Sequence, residues 1–135
     1  MKELTVPATL ENIPAVTAFI DGQLEALDGS MKAQMQIDIA IDELFGNIAH
    51  YAYPDGTGEA TVRFDFDEAT RTASIAFIDS GVPFNPLERA DPDVTLSAEE
   101  RGIGGLGIFM VKKTVDKMEY HYENGFNVLT LHKRV

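Results

Sequence analysis

The hydrophobic periods along this chain predict an α+β fold in two layers: a mixed, mostly antiparallel sheet with helices packed on one face. Three observations lead there. Segments with the two-residue period of strands occur as adjacent pairs without a helix between them, the order that hairpins produce. Segments with helical period are apolar along a single stripe, as expected of helices lying on a sheet. Asn124-Gly125 stands between two alternating segments and is a strong signal for a type I′ hairpin turn.

Taken in order, residues 3–6 read as a short strand closed by Pro7. A helix follows over roughly 12–27, with Ile13, Val16, Ile20, Leu24 and Leu27 as its stripe. Asp28-Gly29-Ser30 breaks it, and Ser30 can cap the next helix, about 31–50, whose stripe is Ile37, Ile41, Leu44 and Ile48. The stretch from Tyr53 to Gly58 is rich in turn formers. Val62, Phe64 and Phe66 alternate with charged residues, and Ala73, Ile75 and Phe77 alternate similarly up to Asp79, so both segments read as strands. Residues 80–104, with Pro83, Pro86, Pro92 and several glycines, read as a long irregular segment of the kind that serves as a functional lid or a disordered insert. Helical spacing resumes from Leu106 to Val115, and a last hairpin pairs 118–122 with 126–132. No internal repeat or second domain is visible, so 1–135 reads as one domain.

Composition narrows the function. With 44% hydrophobic residues the chain can bury a core, and its 22 acidic against 11 basic side chains give a net charge of -11. That charge argues against nucleic acid, whose affinity comes from Lys and Arg displacing counterions, and against an anionic membrane. It does not exclude a nucleotide, because backbone amides and a metal ion hold phosphates locally. The chain has no cysteine, which excludes disulfides and thiolate chemistry. No apolar run is long enough to span a bilayer, and Met1-Lys2-Glu3-Leu4 carries no signal-peptide core, so a cytoplasmic domain is expected.

Three short motifs carry chemistry. Glu43, Asn47 and His50 share one face of the second helix at i, i+4 and i+7. An amide oxygen is a hard ligand for Mg2+, and a carboxylate one turn away can act as general base. The alternative is an ordinary solvated face. Arg101-Gly102-Ile103-Gly104-Gly105-Leu106-Gly107 leads into the third helix, where free amides can bind phosphate. It formally contains G-x-G-x-x-G, but Ser97 to Arg101 read as no strand ahead of it, which argues against a dinucleotide fold, and no Gly-Lys-Ser/Thr follows. A flexible loop is the alternative. Asp79-Ser80-Gly81 ends an apolar strand; the carboxylate can accept a hydrogen bond from an exocyclic amine, and Gly81 leaves room for a flat ring. The alternative is a plain turn.

The three motifs occur in one order, Glu43…Asn47, Asp79-Ser-Gly-Val-Pro-Phe and Gly104-Gly-Leu-Gly. In this the chain resembles the N, G1 and G2 boxes of the GHKL ATPase and kinase superfamily, over nearly its whole length. Within it, the chain is similar to the anti-sigma-factor serine kinases. The resemblance implies ATP and Mg2+ as cofactors, Glu43 as catalytic base and Asn47 as metal ligand. It implies that Asp79 reads adenine, that Gly81 supports the ring, and that Gly104, Gly105, Leu106 and Gly107 cradle phosphate. Where many of these kinases carry a histidine this chain has Tyr51, with His50 one residue earlier. His50 and Arg101 are therefore candidates for phosphate contact, each with a solvent-facing alternative, and Phe84 and Phe109 are expected to pack around the site.

The implied activity is phosphorylation of a serine or threonine on a STAS-type anti-anti-sigma partner, with a sigma factor as second partner and a two-fold homodimer as the assembly. A non-catalytic, nucleotide-dependent binding module is the competing expectation. The catalytic domain of a sensor histidine kinase is a third, less favoured because no helix bearing a phosphoacceptor histidine precedes the domain in this sequence.

Overall fold

A computed structural model of the protein describes residues 2–88 and 105–135. Among them, five strands form one sheet: β1 (Lys2–Pro7), β2 (Glu59–Asp67), β3 (Thr72–Asp79), β4 (Lys117–Glu123) and β5 (Phe126–Arg134), in the order β1-β2-β3-β5-β4. Three α-helices, α1 (Ile13–Ala26), α2 (Met31–Tyr51) and α3 (Gly105–Thr114), supply the second layer. The expected α+β architecture is present. Every pairing among the described strands is antiparallel, so the parallel component that a mixed sheet would contain is not among them. Asn124 and Gly125 both have positive φ, at 53° and 84°, as a type I′ turn requires.

Local chemistry explains where the helices stop and start. At the end of α1 the Gly29 N–H donates to the Leu24 carbonyl at 2.9 Å and the Asp28 N–H to that of Glu25 at 3.2 Å, with Asp28 left-handed at φ 55°. This is a Schellman closure with aspartate, not glycine, in the left-handed position. The Ser30 hydroxyl then accepts from the Ala33 N–H at 3.1 Å and caps α2, as its sequence position predicts.

One core lies between the layers. Val16, Ile20 and Leu24 of α1, with Ile37, Ile41, Leu44 and Phe45 of α2, face Val62, Phe64, Ile75, Phe77 and Leu131 of the sheet. Ile108 and Val111 extend the core under α3. Each such fully buried side chain contributes about 2 kcal/mol of hydrophobic stabilisation. The expected α2 stripe is buried except at Ile48, which is half-buried because the core gives out near that end of the helix.

The α1–α2 contact also holds a pair of carboxyls. Asp21 Oδ1 and Asp38 Oδ1 are buried and accept no hydrogen bond from any other donor group among the described residues, which leaves the two carboxyls to each other. Burial, followed by a hydrogen bond to Asp21 and the charges of Asp21 and Asp42, pushes Asp38 up to about 7 from its ordinary 3.8. Between those two values the folded chain holds a proton that the unfolded chain has lost, so stability falls as pH rises through this window. Asp38→Asn supplies a neutral N–H donor to Asp21. It is expected to flatten the fall and to raise the melting temperature at pH 8 by about 3 °C, with little effect at pH 4. Thermal melts of both proteins from pH 4 to 8 test this, and parallel curves would refute it.

Candidate functional site

Where α2 runs past the end of the sheet, a pocket opens. Leu44, Asn47, Ile48 and Tyr51 form its helical wall, at the i, i+3, i+4, i+7 spacing of one helix face. Phe77 and Asp79 from β3, with Asn127 and Leu129 from β5, make the floor; Val82, Phe84 and Pro86 close the rim. The pocket holds about 460 Å3 of atom-free space, open to solvent on one side. Its walls are mostly apolar, with a few converging polar groups, the composition of a site for a flat, partly polar ligand.

The polar groups form one network. Asp79 and Asn127 are register partners on β3 and β5, at 6% and 5% exposure, and the Asn127 amide donates to Asp79 Oδ1 at 2.9 Å. The Gly81 N–H donates to the same oxygen at 2.9 Å. Asn127 Nδ2 also donates to the Val82 carbonyl at 3.0 Å, while its Oδ1 accepts from the Phe84 N–H at 3.1 Å and from the Tyr120 hydroxyl. Both bonds to Asp79 fall on Oδ1, so Oδ2 carries none among the described residues. An oriented carboxylate with one oxygen uncommitted can receive an N–H from a ligand amine.

Asn127 was not among the residues singled out from sequence, although a signal existed. It alternates with Leu129 and Leu131 on the core face of β5, and a polar residue in an apolar alternation needs a partner.

Gly81, next to the rim residue Val82, is held close to the end of α2. A Cβ there would collide with the Ala52 carbonyl oxygen and lie 2.6 Å from the Ala52 carbonyl carbon. The loop after β3 is pressed against the end of α2, where the Val82 N–H donates to the Ala52 carbonyl at 2.9 Å and satisfies an open helix-end acceptor.

Glu43 stands one turn from Asn47 toward the start of α2, about 6 Å along the axis. It is half-buried, and Gly107 of α3 lies directly on its carboxylate: a Cβ at Gly107 would overlap Glu43 Oε2. The first turn of α3 is thereby held beside Glu43. Its opening N–H groups lack helical partners and can receive anionic oxygens. Gly105 and Leu106 begin that helix.

His50 does not join the site. It is exposed on the last turn of α2, against the Tyr51 ring at 5.9 Å between centroids, and Tyr51 lines the pocket instead. Phe84 is at the rim, whereas Phe109 packs under the Lys113 ammonium, 5.3 Å from its ring centroid. Arg101, Gly104 and most of the expected lid lie outside the described residues.

The family described as histidine kinase-like ATPase domain matches residues 6–133. The chain belongs to this family. Its relatives include the serine-protein kinase RsbW of Bacillus mycoides, 26% identical over 94% of this chain and 81% of the relative. RsbW of Bacillus cereus is 27% identical over the same shares. The serine/threonine-protein kinase BtrW of Bordetella bronchiseptica is 24% identical over 76% of this chain and 71% of its own. In fold, the chain is similar to the histidine kinase domain of the Erythrobacter litoralis EL346 blue-light activated histidine kinase. The TM-score is 0.59 at 11% identity, over 90% of this chain and 60% of that one. Among the described residues no helix is long and apolar enough to cross a membrane.

The network predicts a stability effect independent of any ligand. Asn127→Ala strands the Phe84 N–H and the Val82 carbonyl and removes a donor from Asp79. It is expected to cost about 1–3 kcal/mol, read as a lower urea midpoint with an unchanged slope. An unaltered midpoint would show that the network does not hold the pocket together.

Proposed function

We propose that this chain is an ATP-dependent serine/threonine kinase of the anti-sigma type, acting on a STAS-type anti-anti-sigma protein in a partner-switching pathway. The observation that supports it best is spatial. Asp79, Asn47 and Glu43 follow one another from the pocket floor along α2, and Gly107 brings the start of α3 onto the last of them. A nucleotide whose base is read by Asp79 can extend its phosphates past Asn47 to Glu43. The names of the relatives, which are serine and serine/threonine kinases, agree with this reading.

The residues present suit ATP and Mg2+. The uncommitted Asp79 Oδ2 fits the adenine amine, and the apolar faces of Ile48, Phe77 and Leu129 fit a purine ring. Among the described residues no group of three or more His, Asp or Glu stands together as a metal cage. A single Asn47 amide with phosphate and water completing the shell suits Mg2+, which keeps several waters. When bound, that ion would neutralise charge on the transferring phosphate.

In the proposed reaction a partner hydroxyl attacks the terminal phosphorus of ATP. An O–P bond forms, the bond to the bridging oxygen breaks and ADP leaves. Glu43 takes the hydroxyl proton. The packing of Gly107 against Glu43 limits the carboxylate's freedom and sets its distance from the α3 amides. A two-fold homodimer is part of the proposal, and a single sedimenting species of 14.8 kDa at micromolar concentration would remove it.

Three substitutions test the assignment. Glu43→Gln keeps shape but removes the base, and should cut transfer to a STAS partner by about 10²–10⁴-fold while sparing ATP affinity. Asn47→Ala should weaken both. Asp79→Asn can present the wrong group to the amine and should cost about 1–3 kcal/mol in ATP binding. Radiolabelled transfer measured beside calorimetry separates the roles. Transfer by Glu43→Gln at the wild-type rate would overturn the base; nucleotide-dependent partner binding without any transfer would replace the kinase by a binding module.

A further inference from the structure

At the opposite end of α2 from the pocket lies a second, polar cleft. It is lined by Lys32 and Gln36 from the first turns of α2, Lys113 from the last turn of α3, and Lys133 and Arg134 from the end of β5, with Asp116 beside them. The cleft holds about 800 Å3 of atom-free space and is widely open. Four of the chain's 11 basic side chains meet here, against one carboxylate, in a protein whose net charge is -11.

The cleft's own partners do not consume this charge. Asp116 Oδ2 accepts from the Arg134 backbone N–H at 2.6 Å. Lys133 Nζ donates to the Thr114 carbonyl at 2.7 Å, where it serves the open end of α3. Lys113 lies over the Phe109 ring. The Lys32 ammonium and the Arg134 guanidinium make no hydrogen bond or ion pair among the described residues. On the neighbouring face of α2, Met31, Met35 and Ile39 are exposed at 77%, 59% and 56%, one turn apart. Isolated exposed apolar residues are ordinary; a row of three flanking a basic cleft is a combined surface.

We infer that this cleft and its methionine flank form a docking site for an acidic, partly apolar peptide segment of a protein partner. The charge pattern selects that occupant. A long polyanion such as nucleic acid would run beyond the cleft onto a surface dominated by carboxylates, where it is repelled. A short acidic segment meets four basic side chains together here, so this approach is favoured over others and the contact gains orientation. The apolar row offers the burial that charge pairs in water do not supply.

The inference does not depend on the kinase reading. α2 is about 31 Å long at 1.5 Å per residue, and its far end carries the nucleotide pocket. The test is fluorescence anisotropy at low salt with a labelled octapeptide of alternating Glu and Leu, and a matched peptide of Gln and Leu. Tight binding of the acidic peptide only is expected, weakening as salt rises. The double variant Lys32→Glu/Arg134→Gln should reduce it at least tenfold; a carboxylate in the first turn of α2 suits the helix dipole, so the fold is kept. Met35→Ser should reduce it about threefold without changing the salt dependence. ATP affinity of all variants should equal that of wild type. Equal binding of the two peptides, unaltered binding by the double variant, or displacement by an equal concentration of inorganic phosphate or of a single-stranded oligonucleotide would each overturn the proposal.

Discussion

Two polar side chains on the core face of the sheet set the terms for the rest of this molecule. Asp79 and Asn127 face the helices at positions where the strands otherwise carry Phe77, Ile75, Leu129 and Leu131. Unpaired, either would cost several kcal/mol in such surroundings. Joined across the strands, they satisfy each other and leave capacity over. Asn127 uses that capacity to hold the chain after β3 through the Val82 carbonyl and the Phe84 N–H, and so determines where the rim of the pocket lies. Because the helix wall and the sheet floor cannot close over a polar pair, a cavity remains at the end of the core. The pocket is what packing leaves when the last layer of a sheet is polar.

The fold was legible in the sequence because its signals are local and periodic. Alternation in 62–66 and 73–79, single stripes on both long helices and the Asn124-Gly125 turn each state a local preference, and those preferences agree with one another. The site was legible in part. Asp79 and Asn47 do line the pocket, and Glu43 and Gly107 do meet. What spacing could not reveal was phase. The face of α2 turned to the pocket runs through Leu44, Asn47, Ile48 and Tyr51, so His50 falls on the other side of Asn47 and faces solvent. A polar stripe on a helix identifies candidates, and only the neighbouring elements decide which edge of the stripe is used.

Glycines show the same limit from the opposite direction. Gly81 and Gly107 are both positions where a side chain cannot fit, and sequence alone suggested ligand contact as the cause for both. In Gly81 the obstacle is the protein itself, the carbonyl at the end of α2. In Gly107 it is also the protein, but the group encountered is a carboxylate with chemical capacity. A glycine that yields to backbone serves packing; one that yields to a reactive side chain also fixes where that side chain can be.

That second contact links the two ends of the molecule. Gly107, at the start of α3, rests on Glu43, while Lys113, near its end, joins Lys32 and Gln36 at the start of α2. The two helices therefore run antiparallel, and α3 is only ten residues long. A helix this short moves as one body more readily than it bends. A rigid shift of its first turn, where Gly107 meets Glu43, would also move its last turn, where Lys113 lines the basic cleft. The hydrophobic anchors Ile108 and Val111 resist such a shift and set its scale, since a displacement that exposed either would lose about 2 kcal/mol of burial.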